Sequence, residues 1–123
     1  MEWKFRGFDI IGNKWVYGDL VHNQKVTREG LEPRVMVGGY EVDPKSVGLW
    51  TGLKDELGTD VYDGDILEGN DVLRNVVIGW DKMNCCYAIF DDADCVIEQL
   101  NVDIISISKV IGNVYQNKEL LEK

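Results

Sequence analysis

The stretch Val47–Glu68, VGLWTGLKDELGTDVYDGDILE, decides how the chain is read. Val47, Leu49 and Trp50 are bulky and apolar, as on a pleated, half-buried surface. Thr51-Gly52 interrupts them and Leu53 is the next apolar anchor. Lys54 to Asp60 is polar, with Gly58 supplying a backbone free to turn. Val61-Tyr62 is a short β-prone pair and Asp63-Gly64 a turn dipeptide. Asp65-Ile66-Leu67-Glu68 returns to a short strand. The order is strand end, loop, bridge, turn, strand start, with no helical stripe.

The same punctuation continues outward. Upstream, Trp3–Phe5 alternates, Gly12-Asn13 marks a turn, and Trp15–Val21 forms a second strand with Gly18 as a bulge site. His22–Lys25 reads as a loop tip, Val26–Glu29 as a segment pairing back, and Gly30–Pro33 as a break, since proline donates nothing to a ladder. Arg34–Val42 is strand-like, kinked at Gly38-Gly39, and Asp43–Ser46 is a turn. Downstream, Gly69–Asp71 turns. Val72–Trp80, Cys85–Phe90 and Cys95–Leu100 are strands joined by the four-residue links Asp81–Asn84 and Asp91–Asp94. Ile104–Ile107 alternates like a strand, and Lys109–Val114 is the last β-prone run. Asn117 caps a helical turn or two over Lys118–Glu122. Strands at short intervals predict a mostly β fold. A small SH3-like barrel is expected over 60–115, an N-terminal β part over 1–55, and a short C-terminal helix. A boundary between the parts is expected in the Asp55–Asp60 loop.

A chain of 123 residues, 45% of them hydrophobic, suits one globular domain of two parts. No apolar run nears the roughly 20 residues of a membrane helix, and MEWKFRGFDIIG lacks a signal-like apolar core, so a cytoplasmic protein without membrane contact is expected. Cys85, Cys86 and Cys95 show no CxxC spacing; they read as buried free thiols of a reducing compartment, with Cys85 and Cys86 on opposite faces of one strand. A net charge of -9 with dispersed cations argues against direct nucleic-acid binding.

Candidate chemistry is thin. Asp55, Asp60, Asp63 and Asp65, or Asp91, Asp92 and Asp94, invite a metal, but no EF-hand spacing is present and aspartate is a turn former for local reasons. With 22 acids, chance carboxylate pairs carry little weight. His22 is the only histidine and lies in a polar stretch. Neither GxGxxG nor GxxxxGK[ST] occurs. No catalytic, cofactor-binding or metal residue is therefore assigned. Four Trp and five Tyr exceed the needs of one small core; most are expected to fill the core of a small β-fold and some to form a protein interface.

The central stretch resembles the signature of the YopX family of small bacteriophage and prophage proteins. The matching positions are Val47-Gly48, Thr51, Gly52, Leu53, Lys54, Asp55, Gly58, Val61, Tyr62, Asp63, Gly64, Asp65 and Ile66. KFRGFD…KWVYGDL, and VIGNVYQN with Gly112, Asn113 and Tyr115 followed by ELL, match in the same order. The chain departs at Leu49-Trp50, where the family tends to a polar residue and a smaller aromatic. The resemblance implies a phage-associated accessory protein and supplies no biochemical activity. The expectation is a non-enzymatic, self-associating interaction module, with the motif residues structural and a host or phage protein as a further partner. The rival expectations are an acidic regulator of a host nucleic-acid enzyme, a nucleic-acid-associated SH3-like module, and a hydrolase with a carboxylate pair, which a deep acidic pocket would favour.

Overall fold

A computed structural model describes residues 3–69, 74–91 and 95–121. The chain is mostly β, with curled sheets that include a half-barrel and one short α-helix. The turn at Asn70-Asp71, the start of the Val72–Trp80 run and the Asp92–Asp94 part of a link lie outside the described residues. The chain divides into two compact units, Met1–Trp50 and Thr51–Lys123. The division falls inside a strand, upstream of the Asp55–Asp60 loop.

In the first unit, β1 (Phe5–Asp9) and β2 (Lys14–Gly18) form a hairpin. Asp9 Oδ1 accepts the Gly12 N–H at 3.0 Å, and Asn13 turns with φ 54°. Phe8 and Trp15, opposite each other in the ladder, meet edge to face at 5.4 Å. β3 (Leu20–Thr27) and β4 (Gly30–Val37) make an arm of eight consecutive antiparallel pairs, from Leu20↔Val37 to Thr27↔Gly30. β5 (Tyr40–Glu41) pairs β4 only at Met36 and Val37. A single 3-10 turn (Pro44–Ser46), capped by Asp43, leads to β6 (Gly48–Lys54), whose first residues pair with Phe5 and Arg6 of β1. Val16, Val37 and Val42 form the core, with Phe5, Leu20, Val35 and Val47 against it.

Four expectations are corrected here. His22–Lys25 is not a loop tip: it lies within β3, and the tip falls at Arg28-Glu29. Val26 and Thr27 continue β3 and do not turn back. Gly30–Pro33 is not a break: Pro33 pairs opposite Gln24, which β4 tolerates because β5 leaves that part of its other edge unpaired. A third, outer strand at that point would have needed the N–H that proline lacks. Gly38-Gly39, both at positive φ, form the turn between β4 and β5, which splits the expected strand in two.

In the second unit, the end of β6 neighbours β7 (Asp60–Tyr62). β8 (Asp65–Leu67), β9 (Val76–Asp81), β10 (Cys86–Phe90), β11 (Val96–Gln99) and β12 (Val110–Asn113) form one antiparallel sheet in the order β11-β10-β9-β8-β12. Val61, Leu67, Ile78 and Ile105 are its buried core, with Leu53, Val76, Tyr87, Leu100 and Val110 packed on it. α1 (Val102–Ser106) replaces the strand expected at Ile104–Ile107. Asn101 Oδ1 accepts the Ile104 N–H at 2.9 Å, so an N-cap three residues before the apolar pair Ile104-Ile105 starts a helix there. Ile105 then faces the core while Ser106 and Ile107 stay exposed. The expected C-terminal helix is a 3-10 turn over Lys118–Leu121.

Cys85 and Cys95 are exposed and Cys86 is half-buried; all three are free thiols. The expected burial fails for Cys85 because the strand begins one residue later. Cys85 closes the β9–β10 turn at φ 53°, where Asp81 accepts from the Met83 N–H and the Asn84 amide.

Candidate functional site

The motif residues gather in the second unit. Asp55 is 6% exposed and accepts three backbone N–H groups, those of Leu57 and Thr59 on Oδ1 at 2.9 Å each and that of Val110 on Oδ2 at 3.0 Å. Burial raises its pKa, but the bonds from Val110, Thr59 and Leu57 outweigh it and hold the carboxyl below its ordinary value. Asp55 thereby ties the central stretch to the start of β12, 55 residues away. A second link follows at once, from the Glu56 N–H to the Ser108 carbonyl at 2.9 Å.

Thr51 donates its hydroxyl to the Val61 carbonyl at 2.8 Å, and Lys54 reaches Asp60 at 2.9 Å. Leu53 packs on the core and Gly58 lies in the Asp55-bonded loop, while Gly52 is within β6. Tyr62 is buried, and its N–H donates to Asp65 Oδ2 at 2.7 Å. Between them Asp63-Gly64 turns, Gly64 standing at φ 91°, where a side chain is strained. Gly64 donates to the Ile78 carbonyl and accepts from the Val114 N–H. Asn113, opposite Asp65 in the ladder, accepts the Gln116 N–H and receives Asn117 from the following turn. A Cβ on Gly112 would stand 2.7 Å from Asn117 Oδ1 and 2.8 Å from Leu120. Tyr115 lies in the turn after β12. These positions staple turns and strand ends; their side chains do not converge on one open cleft.

The concave feature lies beside them. A cavity of about 580 Å³ in the second unit falls within the roughly 300–1,000 Å³ common for ligand pockets. Its apolar lining is Leu57, Leu67, Val76, Ile89, Ile97, Ile104 and Ile107. Glu56, Glu68, Glu98, Arg74 and Lys109 supply its charge. Periodicity gives no hint of it, because its walls come from six separated segments. A group of His, Cys, Asp or Glu suited to a metal is absent among the described residues.

Two exposed surfaces also stand out. On the β3–β4 arm, Val26 (83% exposed) and Leu31 (65%) sit opposite each other next to the tip. Their flanking turn signal, Thr27-Arg28-Glu29-Gly30, was present in the sequence. On β9 and β10, exposed Trp80 meets Tyr87, half-buried against the core, at 5.2 Å, edge to face. Burial, then the charge of Asp63, pushes the Tyr87 phenol up to about 12. Other aromatics are occupied by cations: Lys4 over Trp50 at 4.4 Å, Arg6 over Trp15 and Lys14 over Tyr40 at 4.8 Å each.

Charge divides as the units do. Residues 1–50 hold seven cations and seven acids, and residues 51–123 hold six cations and fifteen acids. The net charge of -9 thus belongs to the second unit. The arm, residues 20–37, carries Lys25, Arg28 and Arg34 against Glu29 and Glu32, a net of +1.

A family model described as YopX protein matches residues 4–122. None of the curated proteins compared matches the chain. Among solved structures, the crystal structure of protein EF1440 from Enterococcus faecalis is similar, with a TM-score of 0.57 and 23% identity over 99% of both chains. That likeness establishes the shared fold.

Proposed function

Because the chain belongs to the YopX family, we propose that it is a phage- or prophage-encoded accessory protein, acting in the bacterial cytoplasm as a self-assembling interaction module without catalysis. The observation that carries this reading is the arm, an eight-pair ribbon that presents Val26 and Leu31 to solvent. Apolar residues concentrated at the end of an extended element favour association, because contact removes them from water. The staple-like bonds of Asp55, Asp65 and Asn113 support a structural role for the motif. Light scattering on the purified chain tests the reading: an oligomer is expected, and a strict monomer at high concentration overturns it. Phage origin and compartment are tested by the genomic neighbourhood of the coding sequence and by fractionation of the producing cell.

The concentration of charge in residues 51–123 favours a second reading, an acidic surface that occupies the nucleic-acid channel of a host enzyme. Competition between this chain and DNA for such an enzyme is the expected result. Unchanged DNA binding at saturating chain counts against it. The SH3-like nucleic-acid module stands lower, since that unit is the acidic one, and a gel shift at low salt is its test.

A further inference from the structure

We infer that copies of this chain assemble head to tail, the Val26–Leu31 end of one copy's arm entering the Leu67/Ile89/Ile104 cavity of the next. This rests on the self-assembly reading above and names the two surfaces that perform it. Three independent features point to the pairing. Next to its tip the arm carries two large aliphatic side chains directly opposite each other in the ladder, both largely exposed. The cavity is concave and floored by aliphatic side chains, the surface that such an end would fill. The charges select between possible contacts. Two copies meeting through their second units would bring -9 against -9, whereas the arm carries +1. Lys25 is already paired with Glu41 at 2.8 Å, which leaves Arg28, at the tip beside the apolar pair, as the cation open to a new contact. Glu56, Glu68 and Glu98 border the cavity beside Arg74 and Lys109, a net of -1 against the arm's +1, and none of the three acids has an ion-pair partner among the described residues. Arg28 opposite these acids would fix the register of an otherwise apolar contact.

Such a contact joins different patches on the two copies. It closes into a ring or runs on as a filament according to the rotation between neighbours.

The test uses the full chain and two double variants at exposed positions. Val26→Glu with Leu31→Glu disables the arm, and Ile97→Glu with Ile107→Glu disables the cavity mouth. Circular dichroism first establishes that both keep the wild-type fold. By light scattering the wild type is expected to be an oligomer and each variant alone a monomer. Mixed in equal amounts, the variants are expected to form a one-to-one heterodimer, since one still has a cavity and the other an arm. A wild-type oligomer whose size neither variant changes overturns this inference and leaves self-assembly standing. Two monomeric variants that fail to combine overturn the pairing of these two surfaces. A monomeric wild type overturns both readings.

Discussion

At the residue scale Asp55 shows how one side chain can hold distant parts of a chain together. A buried carboxylate accepting three backbone N–H groups is itself satisfied away from water and fixes three donors of two separate segments. Asp55→Asn keeps the shape but aims an amide N–H at one of those donors. We expect a loss of roughly 1–3 kcal/mol in urea denaturation. The wild-type carboxylate also makes stability depend on acid. Its folded pKa lies below the ordinary 3.8, so its contribution is whole above that value and is lost as pH falls through the lowered folded value. A denaturation series from pH 6 downward should show this slope, and Asp55→Asn should flatten it. Tyr87 acts at the other end of the scale. Burial and Asp63 raise its pKa to about 12, so its contribution is full below the ordinary 10.0 and is lost as pH rises through the folded value. Phenolate absorbance should therefore include one late-titrating tyrosine, and Asp63→Asn should bring it earlier.

At the scale of elements, the sequence announced strands well and helices poorly. Phe5–Asp9, Lys14–Gly18, Val76–Asp81 and Cys86–Phe90 alternate or carry β-prone residues, and they are strands. Val102–Ser106 was hidden because Ile104, Ser106 and their neighbours fit period two as well as a short helix. The deciding residue is Asn101, whose side chain gives the Ile104 N–H, one of the orphan donors of the first turn, an acceptor. Asn101→Ala should cost about 1 kcal/mol by thermal or chemical denaturation. An unchanged stability would mean that Ile105 docking alone holds the turn. The arm is hard to read from sequence for a different reason. Its polar run His22–Lys25 looks like a tip only if strands must bury a face, and neither face of this ribbon is buried there. The turn residues Arg28-Glu29, flanked by Thr27 and Gly30, carried the better signal: Thr27 Oγ1 bridges to the Gly30 carbonyl at 3.0 Å. The cavity was illegible because its lining is assembled by the fold from residues far apart in sequence.

At the scale of the molecule, two buried clusters replace one core: Val16, Val37 and Val42 in the first unit, Val61, Leu67, Ile78 and Ile105 in the second. Ile78 is fully buried in the middle of the five-stranded sheet. Ile78→Ala should cost about 2–5 kcal/mol. Amide exchange should register the loss across β8–β10, while the protection of β1 and β2 changes less; equal loss everywhere would mean that the two clusters melt as one. The even split of seven acids and seven cations in residues 1–50, against fifteen and six beyond, has a practical reach of its own. On a positively charged chromatographic resin, retention should come almost wholly from the C-terminal unit. A molecule held that way is an oriented one, with the neutral unit contributing little to its grip, and its elution should follow substitutions of acids after Trp50 far more than those before it.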